Sequence, residues 1–469
     1  MGKRKSYNYH TQNSVQELFR ELSPAGIKKI ADQVGRLSRI HHLTYTDDHG
    51  KTALINLTLR PRILHSKIEK NLHKLIRTFD KAFERVASLY FQVPDFYELF
   101  PFTMNERRWL ACLQDRNYIP GRLATRWDAN TTFAEKEWKE GHSFFEVNGV
   151  GVGGMWYGPT AGEVAMKAVV PELKKMDPRF NPVPNPNMGR LLLGLILGQR
   201  KKIGRTRGVI ALAMEKASGS NFVEFECLAK MYTRLGHPTI VIEPTDLEMK
   251  KDDLFARGKK VDIVYRDTTL SELCLLEENG FDLQALREGF RRGQVISSLE
   301  GEFDHKSAFE VFTNSEYTSL FSPKERELFR RHILWTRLLK ERKTTDSKEK
   351  KVDLIPYTIK NQNDLVLKPN RLYGGKGIVL GCEAKRAEWH KKISVALKEP
   401  GEWVIQALGI LRTKSFFSPV DKKIKEKDFY VVSGFFATEK GLGIVGRMSE
   451  RMVVNVARRG GLTPILLMR

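Results

Sequence analysis

The stretch DLVLKPNRLYGGKGIVLG (364–381) constrains the fold of this chain more than any other. An apolar run ends in Lys368-Pro369. Three glycines, Gly374, Gly375 and Gly377, then surround Lys376, with Tyr373 just before them, and a second apolar run, IVL, follows. The pattern predicts strand, loop, strand, so the loop opens no helix and is not a Walker-type P-loop. Glycines let backbone N–H groups approach phosphate oxygens, and Lys368 adds a point charge. A glycine-rich β-hairpin with incidental lysines has the same pattern. Downstream, GEWVIQALG (401–409) reads as an apolar strand with a polar end at Gln406. Its backbone can offer donors and acceptors to an adenine edge, and an ordinary core strand is the other reading.

A second constellation lies far upstream. RWDAN (126–130) is followed by FFEVNGVGVGGM (144–155), which brings Asp128, Glu146 and Asn148 as hard oxygen donors. Glu146 and Asn148 are two residues apart, so in a strand they share a face. Two carboxylates and an amide oxygen suit magnesium, which keeps waters and is commonly shared with substrate phosphates. Arg126 shares the face of Asp128 if this segment is extended, and its guanidinium can fork onto a phosphate. Asp128 paired simply with Arg126 is the competing reading.

With 469 residues, of which 41% are hydrophobic and 29% charged, the chain can bury a sizeable core spread over two to four domains. The formal charge of +23 favours anionic partners (nucleotides, nucleic acid, phosphorylated metabolites) without choosing among them. No RNA-binding, helix-turn-helix or zinc-finger pattern supports nucleic acid. Cys112, Cys227, Cys274 and Cys382 are scattered and form no C-x-x-C pair, which suggests a reducing, cytoplasmic setting. No apolar run is long enough to span a membrane, and the basic N-terminus lacks the apolar segment of a secretory leader.

The first hundred residues read as helical. Ser14 is placed to cap a short helix and Pro24 to open another, and apolar residues from Ile63 to Leu89 recur every three or four positions. Lys67, Lys70, Arg77 and Lys81 fall off that face, as expected of a packed helix with a solvated side, or of a basic helix for nucleic acid. GVIALAM, residues 222–235, PTIVIEP and VDIVYRD read as strand, helix, strand and strand, a parallel α/β unit with no G-x-G-x-x-G after its first strand. Residues 324–339 read as a helix running into a charged linker at 337–351. Finally, GLGIVGRMS brings Arg447, and VVNVARRGG brings Asn455.

K-P-N-x-x-Y-G-G-K-G followed by E-W-V-I-Q resembles the nucleotide half of the ATP-grasp fold, and R-x-D followed by E-x-N resembles its magnesium half. Glu146 precedes Lys368 by 222 positions, an order that resembles the circularly permuted ATP-grasp group that includes glutathionylspermidine synthetase. HKSAFEVFTN and the closing GIVGRMSERMVVNVARRGGLTPIL are similar to further segments of that group, so the resemblance covers roughly residues 101–469. It implies an α/β (α+β) fold with a magnesium-binding part (101–205), a Rossmann-like α/β subdomain (206–322), a helix and linker (323–352) and a nucleotide-binding part (353–469), and does not explain the helical region (1–100) that precedes them. It implies ATP and Mg as cofactors, with Asp128, Glu146 and Asn148 on the metal. Lys306, Lys368, Tyr373 and the loop Gly374, Gly375, Lys376 and Gly377 would meet the phosphates, and Val404 and Gln406 the adenine. Arg126 and Arg447 would sit on the reacting groups. The implied activity is ATP-dependent joining of a small-molecule or peptide carboxylate to an amine through an acyl-phosphate. Kinase-like phosphoryl transfer and a basic nucleic-acid-binding protein are the alternatives.

Overall fold

The computed structural model describes residues 12–46, 52–133, 141–215, 222–409, 412–420, 423–454 and 460–469. Asn455 and most of the charged insertion between Asp128 and Glu146 lie outside these.

The periodic apolar face near the N-terminus forms the helix Ser66–Tyr90, capped where the His65 side chain accepts from Lys67 N. The helix buries Ile68, Leu72, Ile76, Phe79, Phe83 and Val86, while Lys67, Lys70 and Lys81 stay exposed. Phe79 packs its ring 5.1 Å from Trp127 and edge-on, 5.2 Å, to Phe144. Each such aromatic contributes about 1.5–3 kcal/mol by burial. The same helix carries a buried carboxylate, Asp80, which accepts from Thr125 Oγ1 (2.6 Å) and Trp127 Nε1 (2.9 Å). These bonds fix the strand Arg126–Thr131 against the helix.

The helix begins later than Pro61 because Arg62–His65 is a strand, paired in parallel with Ile465–Met468 at the far end of the chain. Asn56–Leu57 likewise pairs with Gly461–Leu462. The first hundred residues are therefore not purely helical, and the two ends of the chain are stitched into common sheets. Pro24 opens the helix Pro24–Ile40, capped by Ser23, whereas Ser14 lies inside the helix Gln12–Arg20 rather than capping it.

Three sheets frame the rest. A seven-stranded sheet runs Asn56–Leu57, Gly461–Leu462, Gly441–Ser449, Lys423–Thr438, Arg126–Thr131, His142–Asn148, with Thr413–Val420 also paired to Lys423–Thr438. A four-stranded sheet runs Thr336–Leu338, Trp403–Ala407, Leu365–Pro369, Val379–Leu380. The third sheet holds the expected parallel unit, in which Val209–Ala213 lies between Thr239–Ile242 and Lys259–Arg266 with the helix Phe222–Arg234 as crossover. The segment 324–339 departs from expectation. Its helix, Pro323–His332, stops at His332, and Thr336–Leu338 is an edge strand of the four-stranded sheet. The segment 337–351 is no free linker: Lys343–Thr345 and Lys351–Asp353 form a hairpin. Buried Arg337 ties it down, donating from Nε to Thr344 Oγ1 (2.8 Å) and from Nη2 to Thr345 O (3.1 Å). A composition rich in lysine marks the outer face of that hairpin, and reading composition alone hid the alternation.

Candidate functional site

The seven-stranded sheet, the four-stranded sheet and the carboxyl ends of the parallel strands converge on one cleft of about 520 Å³. That is within the range of roughly 300–1,000 Å³ usual for small-molecule sites. Both sequence constellations line it: Arg126, Glu146, Asn148 and Arg447 from one sheet, Lys368, Tyr373, Gly374, Gly375, Lys376 and Gln406 from the other.

The first wall is built by register. Asp128 stands opposite Glu146, and Arg126 opposite Asn148, on adjacent antiparallel strands. Two strands over, Arg447 pairs with Val432, which pairs with Asn130. Asp128 has no exposed surface. Arg126 forks onto it, Nε to Oδ1 at 2.8 Å and Nη2 to Oδ2 at 3.0 Å; Arg447 Nη2 lies 2.7 Å from Oδ2, and Asn148 Nδ2 donates to Oδ2 at 3.2 Å. Burial pushes the Asp128 carboxyl upward, but attraction and hydrogen bonds from Arg126 and Arg447 outweigh it and hold the group below the ordinary carboxylate value.

The expected metal triad is thus divided. Glu146, with 19% of its side chain exposed, faces the cleft, and Asn148 uses its amide nitrogen on Asp128, leaving its oxygen as acceptor. Asp128 is the correction, because its oxygens already serve two guanidiniums and an amide. Among the described residues no group of three or more His, Cys, Asp or Glu converges as a metal cluster. The hard oxygens of Glu146 and Asn148 nevertheless fit a magnesium ion that keeps waters and shares phosphate ligands.

Gly434 makes the arginine fork possible. A Cβ there would lie 2.7 Å from both Asp128 Oδ1 and Arg126 Cδ. Gly434→Ala is therefore expected to push the fork aside and destabilise the protein by about 1–3 kcal/mol, read as a lower urea midpoint. An unchanged midpoint would show that the fork yields freely.

The second wall is cationic and largely dry. Lys368 is 7% exposed and donates to Gln406 Oε1 at 2.6 Å, and its Nζ stands 4.9 Å from the centre of the Phe145 ring. Lys306 is 5% exposed, with Nζ 3.2 Å from Glu146 Oε1 and 2.6 Å from Leu372 O. Burial lowers the Lys368 ammonium to about 8, with Lys306 adding to the effect and Glu146 opposing it. A lysine whose folded pKa is depressed destabilises the fold while charged, and this penalty lifts as pH rises from about 8 toward the unfolded value. An anion that needs the charged form should bind more weakly over the same interval. The apparent Kd of an anion held by Lys368 is expected to climb by about tenfold per pH unit above 8; a flat profile to pH 9.5 would remove Lys368 from anion binding.

Gly374, Gly375 and Gly377 all have positive φ, between 68° and 73°, which only glycine adopts without strain. A Cβ on Gly375 would lie 2.7 Å from Val453 Cγ1, so the loop also packs closely on the segment after Arg447. The Trp403–Ala407 strand behaves differently from expectation. It is hydrogen-bonded on both sides, to Thr336–Leu338 and to Leu365–Pro369. Val404 lies in the core, and its backbone has no free edge for a base. Gln406 turns inward, with Oε1 on Lys368 and Nε2 on Thr336 Oγ1 at 2.8 Å, so its part is to hold the lysine. The residues that follow, Ala407 to Gly409, reach the cleft beside the apolar Leu334, Val366 and Leu380.

Two features escaped the sequence reading. Asn130 continues the alternation of Arg126 and Asp128 and lines the cleft, and its Oδ1 is buried without a partner, as is Arg447 Nε. Glu215, Asp267 and Glu272 make an acidic side of the cleft at the ends of parallel strands, where Thr268 Oγ1 is also buried and unpartnered. Glu215 is raised by burial and by its neighbours Glu272 and Glu243. Ligands of open α/β sheets gather outside the carboxyl ends of strands, and this signal was available from VDIVYRD.

The fold is mixed α/β. Among solved structures it resembles a glutathione synthetase-like effector from Globodera pallida in its apo form, at a TM-score of 0.64 and 12% identity over 96% of this chain and 98% of that one. A slighter likeness, at a TM-score of 0.27 and 10% identity over 54% of this chain and 91% of the other, is to the ATP-grasp ligase PsnB complexed with a minimal precursor, and nothing below rests on it. No protein-family model and no curated protein matches the chain. Among the described residues all four cysteines are free, and no helix is long and apolar enough to cross a membrane.

Proposed function

We propose that the protein is an ATP- and magnesium-dependent carboxylate–amine ligase of the circularly permuted ATP-grasp type. The observation that carries this reading is the meeting of Glu146 and Lys368, remote in sequence, at one cleft, with buried Lys306 3.2 Å from Glu146. A cleft-facing carboxylate with two buried lysines beside a glycine loop suits a triphosphate and its cation. Lys306 and Lys368 would bind phosphate oxygens, the 374–377 loop would cover them with its N–H groups, and the apolar Leu334, Val366 and Leu380 would hold the base next to residues 407–409. Glu146 and Asn148 would hold magnesium, which when bound neutralises phosphate charge.

A substrate carboxylate oxygen attacks the γ-phosphorus and ADP leaves. The amine nitrogen then attacks the acyl carbon, inorganic phosphate leaves, and the nitrogen loses a proton. Arg126 and Arg447, held rigid by Asp128, are preorganised for the charge that moves between phosphate and acyl oxygens. The acidic side at Glu215, Asp267 and Glu272 favours a cationic amine and orients it toward the acyl group. No side-chain nucleophile is required.

The test is a screen of amino acids, peptides and polyamines for substrate-dependent ADP release, with mass spectrometry of the product and an 18O-labelled carboxylate. Amide formation with one labelled oxygen passed to phosphate is expected. A stable phosphorylated product with no amide would instead identify phosphoryl transfer alone.

A further inference from the structure

The short segment 301–306 touches both walls of the cleft. Gly301 lies backbone to backbone against Gly149, the residue after Asn148: a Cβ on Gly149 would stand 2.2 Å from Gly301 O, and one on Gly301 would stand 2.6 Å from Gly149 O. Three residues on, buried Asp304 divides its carboxylate between the walls. Oδ2 accepts from Gly149 N at 2.7 Å, and Oδ1 accepts from the Tyr373 hydroxyl at 3.0 Å. Lys306 repeats the span, from Glu146 Oε1 to Leu372 O. Asn370 completes the attachment: its carbonyl accepts from Lys306 N (3.0 Å) and its Oδ1 from Ser307 N (2.9 Å).

Residues 372–374, 376 and 377 are exposed, and three left-handed glycines make the loop backbone permissive. Gly375 and Gly377 pack it on Val453 and Pro369, and the Asp304 bridge is what ties it to the end of the Glu146–Asn148 strand. Tyr373 supplies the attachment, with an exposed ring whose hydroxyl turns inward.

We propose that Asp304 is a positioning residue: by bridging Gly149 N and the Tyr373 hydroxyl, it fixes the glycine loop over the end of the Glu146–Asn148 strand, so that loop and metal ligands address the same triphosphate. This rests on the nucleotide reading above. The bridge uses Tyr373 as a strut rather than a phosphate ligand. Burial raises the Asp304 carboxyl to about 7, while the hydrogen bonds from Gly149 N and the Tyr373 hydroxyl favour its charged form; losing the tyrosine bond releases the loop without unfolding the strand.

The test uses the full chain. Limited trypsin digestion without nucleotide is followed by mass spectrometry at Lys376, and ATP turnover is measured in parallel. Tyr373→Phe removes only the hydroxyl, and Asp304→Asn keeps the shape while weakening the bridge. Each is expected to speed cleavage after Lys376 by about tenfold, the effect of one hydrogen bond, with cleavage elsewhere unchanged. The double variant should be no faster than the faster single variant, because both remove one bridge. The KM for ATP should rise by about tenfold with kcat changed less than about threefold, the mark of lost binding rather than lost chemistry. Unchanged cleavage at Lys376 in both single variants, or additive effects in the double variant, would overturn the proposal. Protection of Lys376 by MgATP in the wild-type protein is scored separately. Its failure, with cleavage accelerated as stated, would leave the bridge in place and remove the nucleotide reading.

Discussion

Glu146→Gln is expected to lower ATP turnover by about a thousandfold or more, the scale on which a lost electrostatic contact to a transferring phosphoryl group is felt. The substitution is nearly isosteric, and Glu146 is partly exposed at the cleft, so the fold should survive it. What is lost is the carboxylate proposed for the cation and the counter-charge of Lys306. Lys368→Ala should act comparably on turnover while leaving stability close to the wild-type value, because a buried cation whose pKa is pressed down to about 8 does not stabilise the fold. Equal ADP release by both variants and the wild-type protein would count heavily against the site.

The second large effect is on stability. Asp128→Ala is expected to cost about 3–5 kcal/mol, the usual penalty for removing one partner from a buried ion pair. Two guanidiniums, Arg126 and Arg447, would be left facing each other with Asp128 gone from between them. The pH dependence follows from the direction of the shift. Asp128 is held below its ordinary pKa, so its contribution is fully present above the unfolded carboxylate value, near 4. It fades as pH falls toward the lower, folded value. Urea midpoints at pH 7 and pH 3 measure both. A loss under about 1 kcal/mol at pH 7, the worth of an exposed pair, would mean that the fork is not a structural unit.

Residue chemistry carried the sequence reading further than residue geometry. The paired strands were visible because R-x-D and E-x-N alternate with buried Trp127, Ala129 and Val147, and the glycine loop because three glycines surround a lysine between two apolar runs. The parallel unit at 209–266 was legible from its apolar runs. Three kinds of information were not. Which partner a polar atom takes depends on the third dimension, so Asp128 looked like a metal ligand until Arg447 arrived from over three hundred positions downstream. Whether a strand is central or at an edge is absent from its own letters, so the pairing of Trp403–Ala407 on both sides, which leaves Val404 no free backbone edge, was not legible. Charge-rich composition suggested a linker where Arg337 nucleates a hairpin, because a single buried arginine weighs little in a count.

The central claim is that one cleft holds nucleotide and cation together, between the Glu146–Asn148 strand end and the Lys368 wall. The most direct measurement is a crystal structure of the protein with a non-hydrolysable ATP analogue and manganese, whose anomalous signal locates the ion. The account predicts an ion peak bound by Glu146 and Asn148, with the phosphates within hydrogen-bond reach of Lys306 and Lys368. Nucleotide or manganese bound elsewhere, with this cleft empty at saturating ligand, would contradict it.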